Sequence, residues 1–383
     1  PANDARAMED LLEKLDFEVV VETNRDLRRM RRALEDFQTD AAGADVALLF
    51  FAGHGVALDG VNYLLPTDAD ASSAQALAAT ALPLAEAQAV LNKVAPVSIV
   101  LLDACRDDPF SASAGTDGRT AAPLEDDPPV VASDGKPIPG LGRIGRADGV
   151  LFAFAAAPNE TASDGDDGNS PFTAALVRHF STAGVEVKTA LTLVQQDVYD
   201  RSRGKQLPYI ESGVPEPIFV TGPGALPERD QLLIAMADLT PEIRAEVETL
   251  SASRNLPLAP LYAALLSADL DSQSPDERSR LLLEAAASYE QFQSELQKFQ
   301  SDDPRVADLR AKADEQLTLG AFDTARALLT EAAEIDSNAR TTIRETYISR
   351  TVSEAATHLL NANAARTDLR YDLAISDLDK VVA

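Results

Sequence analysis

Residues 45–55 read DVALLFFAGHG and residues 97–110 read VSIVLLDACRDDPF. Each opens on an unbroken apolar run of strand length and closes on small and polar residues. Apolar runs without alternation mark strands buried on both faces, as in a parallel sheet covered by helices. The flanking segments have helical spacing. Over 2–15, Ala5, Met8, Leu11, Leu12 and Leu15 share one face, with Asn3 or Asp4 as cap. Over 24–40 the same holds for Leu27, Met30, Leu34 and Phe37. Further helices are predicted over 83–94, opening on Pro83, and over 171–182 and 187–203. Further strands are predicted at 17–22 (FEVVVE), 61–66 (VNYLLP), 149–157 (GVLFAFAAA) and 216–220 (EPIFV). Strands alternating with helices predict an α/β domain, a mostly parallel sheet flanked by helices.

This pattern covers residues 1–221. It breaks over 106–147, a stretch rich in Gly, Pro, Ser and Asp and much longer than an ordinary connection. From TGPGALPERD (221–230) onward only helical patterns remain. We expect a linker and helical region over 222–300 and helical repeats over 301–383. Residues 309–336 resemble a tetratricopeptide repeat: Leu319 and Gly320 end one helix, and Phe322, Ala325, Leu329 and Ala332 line the next. Tyr371 and Ala374 repeat Phe322 and Ala325 at an offset of 49. The usual period is about 34 residues, so the first helix of the second unit would be extended. The alternative is a set of generic helical hairpins.

Composition removes several functions. There are 62 acidic and 34 basic residues, a net charge of −28. Such a balance argues against binding nucleic acid or an anionic membrane, both of which call for a basic face. No apolar run approaches the 18 or so residues of a membrane span. A single cysteine forms no internal disulfide or cysteine-rich zinc site, and three histidines leave little for a metal centre. Arginine outnumbers lysine 26 to 8, which reads as a GC-rich bacterial source. The compartment stays open.

The same scarcity narrows the chemistry. His54 follows one buried strand, between two glycines, and Cys105 follows the other. Sites in open α/β sheets form at the carboxyl ends of strands. If the two strands are neighbours, an imidazole meets a thiol, the pairing that supplies a cysteine nucleophile. The Gly55 and Cys105 N–H groups would then form an oxyanion hole. Either residue alone reads as core or surface; the joint placement carries the inference. His179 and His358 lie in helical patterns and read as structural or surface residues.

The strings FAGHG, NYLLPTDA and LLDACRDDPF, with NDARAMEDLLEKLDFEVV before them and GVLFAFAAAPNETASDGDDGNSPFTAAL after, resemble the caspase-type cysteine peptidases. The similarity is to the bacterial branch related to metacaspases and paracaspases, and it spans about 1–220. It implies a caspase-haemoglobinase fold, with His54 as catalytic histidine and Cys105 as nucleophile. The family's first, central strand normally precedes the NDA helix; its absence predicts an N-terminally truncated chain. The resemblance places one acidic pocket residue on Asp103 and another on Asp4. Asp103 lies two residues before Cys105, so on a strand it faces the same side. Buried carboxylates suit a basic side chain, and we expect cleavage after Arg or Lys. Glu160 and Asp164 are candidates for the pocket wall. Ala52 departs from the small polar residue common two places before the histidine. The 106–147 stretch is where caspases are cut between subunits, and it holds Arg119, Lys136, Arg143 and Arg146.

The reading is therefore a cysteine endopeptidase acting on protein or peptide substrates, with self-cleavage in 106–147. The helical C-terminal region would take a protein partner; neither nucleic acid nor membrane is expected. No cofactor is required. Calcium remains open through DGDDGN (164–169), Asp68, Asp70, Asp107 and Asp108, although a solvated acidic turn explains DGDDGN as well. The alternative function is a caspase-fold scaffold or pseudo-enzyme whose helical repeats bind partners. A thiol redox sensor would lack a resolving cysteine.

Overall fold

The computed structural model describes residues 1–58, 61–105, 149–157, 162–163, 168–267, 270–298, 301, 303–367 and 371–382. They form two compact units, Pro1–Ala286 and Ala287–Ala383. The expected self-cleavage stretch 106–147 lies outside the described residues.

The first unit is built on β1 (Val46–Leu58), β2 (Val61–Leu64), β3 (Leu82–Pro83), β4 (Val97–Cys105), β5 (Val150–Phe154) and β6 (Tyr209–Ser212). The sheet order is β3-β2-β1-β4-β5-β6. Its centre, β1-β4-β5, is parallel, and the strands at both edges run antiparallel. The period of two along β4 divides the core. Ile99 and Leu101 pack beneath α1 (Ala2–Lys14), α5 (Pro171–His179) and α6 (Val187–Arg201), against Met8, Phe172 and Val194. Val100 and Leu102 face α2 (Leu27–Asp40) and α4 (Leu84–Val94), against Met30 and Leu91. A short helix, α3 (Ala74–Thr80), adds Leu77 over Val56 and Leu58.

Capping residues set the entry points of these helices. Asp26 accepts the Arg29 N–H at 2.8 Å to start α2. Ser170 accepts the Thr173 N–H at 2.9 Å to start α5, with Pro171 in its first turn. At α1 the expected caps have other partners. Pro1 precedes the helix, Asn3 donates to the Gly168 carbonyl at 3.2 Å, and Asp4 accepts the Ser170 N–H at 3.0 Å.

Three strands differ from expectation. FEVVVE (17–22) forms no strand: Phe17 and Val19 touch the core, but the backbone has no strand partner, and Val20 is exposed. A β-branched run becomes a strand only where a neighbour offers a ladder. Among the described residues, β1 pairs with β4 over Val46–His54 and with β2 only over Gly55–Leu58. The last strand is Tyr209–Ser212, paired antiparallel with β5, whereas EPIFV makes a single bridge from Phe219 to Glu186. Finally, β1 runs past His54 to Leu58, because β2 folds back on residues 55–58.

After the sheet come α7 (Glu228–Ala237), α8 (Pro241–Arg254), α9 (Leu258–Ser267) and α10 (Pro275–Lys298). Helices α7 and α9 pack on α6. Covered from both sides, α6 carries Gln196, Asp197 and Asp200 into the interior.

The second unit contains α11 (Pro304–Thr318), α12 (Phe322–Thr367) and α13 (Tyr371–Val382). Leu319 and Gly320 end α11 as expected. Gly320 has φ +74°, and the Ala321 N–H reaches the Gln316 carbonyl at 2.9 Å, a turn that glycine enters without a Cβ penalty. Ala325 packs against Ala313 and Leu317, with Phe322 and Leu329 beside them, and Ala332 against Val306 and Leu309. Helix α12 spans 46 residues, about 70 Å, so the second helix of one hairpin is continuous with the first of the next. No described helix is long and apolar enough to cross a membrane.

Candidate active site

Parallel pairing of β1 with β4 sets His54 directly opposite Cys105. Neighbouring strands lie about 4.8 Å apart, so the two residues share one rim of the sheet. Cys105 is the last residue of β4, and His54 is exposed. The rim is anchored through the backbone: the His54 carbonyl accepts the Leu65 N–H at 2.9 Å. Backbone polar groups alternate between a strand's two edges. Those of Gly55 therefore turn towards the β4 side, where Cys105 ends its strand. Gly55 is itself buried. A Cβ at Gly53 would sit 3.1 Å from the Phe51 ring tip, so a larger residue there would push that ring aside by a few tenths of an ångström.

Two residues before Cys105, the same strand carries a carboxylate. Asp103 is buried at 8 % exposure and has Ala52 as its register partner. Its Oδ2 accepts the Ser170 hydroxyl and, at 2.5 Å, the Thr173 hydroxyl. Asp4 is buried beside it. Asp4 Oδ1 accepts the Ser170 N–H at 3.0 Å, and Oδ2 lies 3.0 Å from the Pro1 ammonium. Ser170 thus touches both carboxylates, one with its N–H and one with its O–H.

Burial pushes the Asp103 carboxyl up to about 6; the hydroxyls of Ser170 and Thr173 pull it down, and the Asp4 charge pushes it up again. No Arg or Lys side chain pairs with Asp4 or Asp103 among the described residues.

Of the residues predicted for the site, His54, Cys105, Gly55, Asp103 and Asp4 lie at this end of the sheet or on the helix beneath it. Glu160 and Asp164 are outside the described residues. Of the aspartates considered for calcium, Asp68 accepts the Leu27 N–H and Asp70 the Ser72 N–H, each at 2.9 Å. Asp107 and Asp108 are outside the described residues, among which no cluster of His, Cys, Asp or Glu is arranged to hold a metal. His179 is buried between two aspartates, a structural position.

Ser170 and Thr173 are absent from the sequence-based site. Their signal, Ser-Pro-Phe-Thr, reads as a helix cap and nothing more. The second use of the same hydroxyl, on a carboxylate 67 residues earlier in the chain, depends on where α5 lands.

Residues 1–219 match the caspase domain, and the chain belongs to that family of cysteine peptidases, clan CD. Among solved structures, caspase-1 from Spodoptera frugiperda is similar at 17 % identity and a TM-score of 0.40, covering 59 % of this chain and 82 % of that one. The structure of pro-sf-caspase-1 is similar at 19 % identity and a TM-score of 0.39, covering 57 % and 82 %. No curated protein matches.

Proposed function

We propose that this protein is an endopeptidase of the metacaspase and paracaspase type, cutting after Arg or Lys through Cys105 and His54. The Cys105 sulfur attacks the carbonyl carbon of the basic residue. The Gly55 and Cys105 N–H groups hold the oxyanion. His54 gives its proton to the leaving amine, and water then hydrolyses the thioester. Asp103 and Asp4 hold the substrate cation. The helical second unit recruits partners or substrates.

One observation carries the specificity: two buried carboxylates, Asp103 near the end of β4 and Asp4 on α1, have no Arg or Lys partner among the described residues. Ionised carboxylates in such a place favour a bound cation, and would repel an aspartate side chain. The test is a fluorogenic peptide panel with Arg, Lys or Asp at the cleaved position, read beside the intact mass of the incubated protein. Arg and Lys peptides should be cut, and the chain should be clipped within 106–147. Cys105→Ala and His54→Ala should abolish both activities, by at least about a thousandfold. Preference for Asp would overturn the specificity.

A further inference from the structure

Asp103 and Asp4 come from β4 and α1, elements with no covalent reason to hold their carboxylates in register. The start of α5 joins them. Ser170 donates its N–H to Asp4 Oδ1 and its O–H to Asp103 Oδ2, while its own oxygen caps α5 by accepting the Thr173 N–H. Thr173, one turn into the helix, adds a second hydroxyl to the same Asp103 oxygen at 2.5 Å. The donors to Asp103 are therefore neutral. A lysine or arginine in their place would satisfy the carboxylates and leave no charge for a ligand. Hydroxyls favour the ionised, oriented carboxylate without cancelling it. They occupy one oxygen of Asp103, and the Ser170 N–H occupies one oxygen of Asp4. Among the described residues, Asp103 Oδ1 accepts no hydrogen bond, and Asp4 Oδ2 faces a cation already, the Pro1 ammonium.

We propose that Ser170 and Thr173 are positioning residues for specificity, which hold Asp103 and Asp4 together as one anionic receptor for the basic side chain of the substrate. This rests on the Arg/Lys reading above. The residues act through the carboxylates and leave the thiol chemistry untouched. Among the described residues, the side chains facing Asp103 are Asp4 from α1, the two hydroxyls at the start of α5 and Ala52 from β1, so Asp4 brings the one side-chain charge among them. With burial already pushing the carboxyl to about 6, removing a hydroxyl donor moves its titration further into the working pH range.

The discriminating variant is Thr173→Val, which keeps the shape and leaves the Ser170 cap in place. Kinetics with an Arg peptide are compared across pH for the wild type, Thr173→Val, Thr173→Ser, Ser170→Ala and Asp103→Ala. Iodoacetamide labelling of Cys105, the sole cysteine, reports on the dyad independently of the pocket. Thr173→Val should raise KM about tenfold, with kcat changed less than twofold. It should also shift the acid limb of kcat/KM upward by about one pH unit and leave the labelling rate unchanged. Thr173→Ser should restore both values. Ser170→Ala should behave like Thr173→Val, with an added loss of thermal stability from the missing cap. If Thr173→Val keeps its KM and acid limb while Asp103→Ala loses Arg cleavage, the positioning role is wrong and the pocket reading stands. If Asp103→Ala cleaves Arg as well as the wild type does, the pocket reading itself fails and takes this proposal with it.

Discussion

The two ends of α5 treat buried carboxylates in opposite ways. At its start, Ser170 and Thr173 give Asp103 hydroxyl donors only. At its end, Arg178 and His179 reach Asp197, which is 1 % exposed. Arg178 lies 2.7 Å from Asp197 Oδ2 and the His179 ring 3.2 Å from the same atom. Arg201 and Arg229 take Oδ1 at 3.0 and 3.1 Å. Arg229 also reaches Asp200 at 2.6 Å, and the second His179 nitrogen lies 3.1 Å from Asp230. The histidine contacts are ionic in character, since neither ring nitrogen has a well-aligned hydrogen bond.

Electrostatics follow these surroundings. Burial would raise Asp197, but His179, Arg178 and Arg201 outweigh it and hold the carboxyl far below its usual range. Burial likewise opposes protonation of His179, and the Asp197 and Asp230 carboxylates outweigh it and raise its pKa. Asp103 has no Arg, Lys or His side chain paired with it among the described residues and is raised by burial. A carboxylate ringed by cations has its charge neutralised within the fold. Here it joins α5 and α6 to α7 through Arg229 and Asp230, beyond the segment that matches the caspase domain. A carboxylate that is buried with hydroxyls has no Arg, Lys or His side chain to neutralise it among the described residues. Burial by itself does not distinguish Asp197 from Asp103, and the sign of their neighbours does; Asp200 has one close cation, Arg229, and burial still raises it.

This contrast is open to direct attack. The largest effect should come from Asp197→Ala, which leaves Arg229, Arg178 and His179 facing one another. Urea unfolding should register a loss of about 3–5 kcal/mol. A loss below about 1 kcal/mol would mean that the cluster is not the structural partner of the pocket described here.

Next in size is Asp103→Asn, with the opposite sign. A carboxyl raised from 3.8 to about 6 binds its proton more tightly in the folded state. Its contribution is full below its unfolded value and is lost as the pH climbs through 6. At neutral pH the ionised form therefore costs stability, about 1–3 kcal/mol. The variant should melt higher than wild type at pH 7.5, with the advantage gone near pH 4, and should cleave Arg peptides poorly. Equal melting temperatures at pH 7.5 would contradict the burial cost assigned to the Asp103 carboxylate.

The smallest effect is that of His179→Gln. Because the folded pKa of His179 is raised, its charged contribution is complete below its ordinary value and fades as the pH rises through the folded one. The stability gap between wild type and variant should be about 1–2 kcal/mol at pH 6 and shrink towards pH 9. A gap that widens with pH would reverse the assignment.

Much of this was legible in the residues. The apolar runs at 45–53 and 97–104 are strands, and they are neighbours, with His54 and Cys105 as register partners. Strand alternation placed Asp103 near the same rim. The helical spacing around Met8, Met30 and Leu91 marked the faces that pack on the sheet. Short strands were less legible. FEVVVE and EPIFV have strand composition, yet YIES holds the place beside β5. Composition describes a segment's fitness for a ladder, and the ladder position depends on which segment the rest of the chain delivers.

The sequence by itself determined the buried strands, the two reactive side chains at their ends and the acidic residues near them, because local hydrophobic pattern and chain order carry that information. Only the tertiary structure decided which buried aspartates meet cations and which meet hydroxyls. That property depends on what α5 brings to each end: hydroxyls to Asp103, cations to Asp197. Charge compensation acts through space over a few ångströms. Asp103 and Ser170 are far apart in the chain, and no reading along it reveals that they meet.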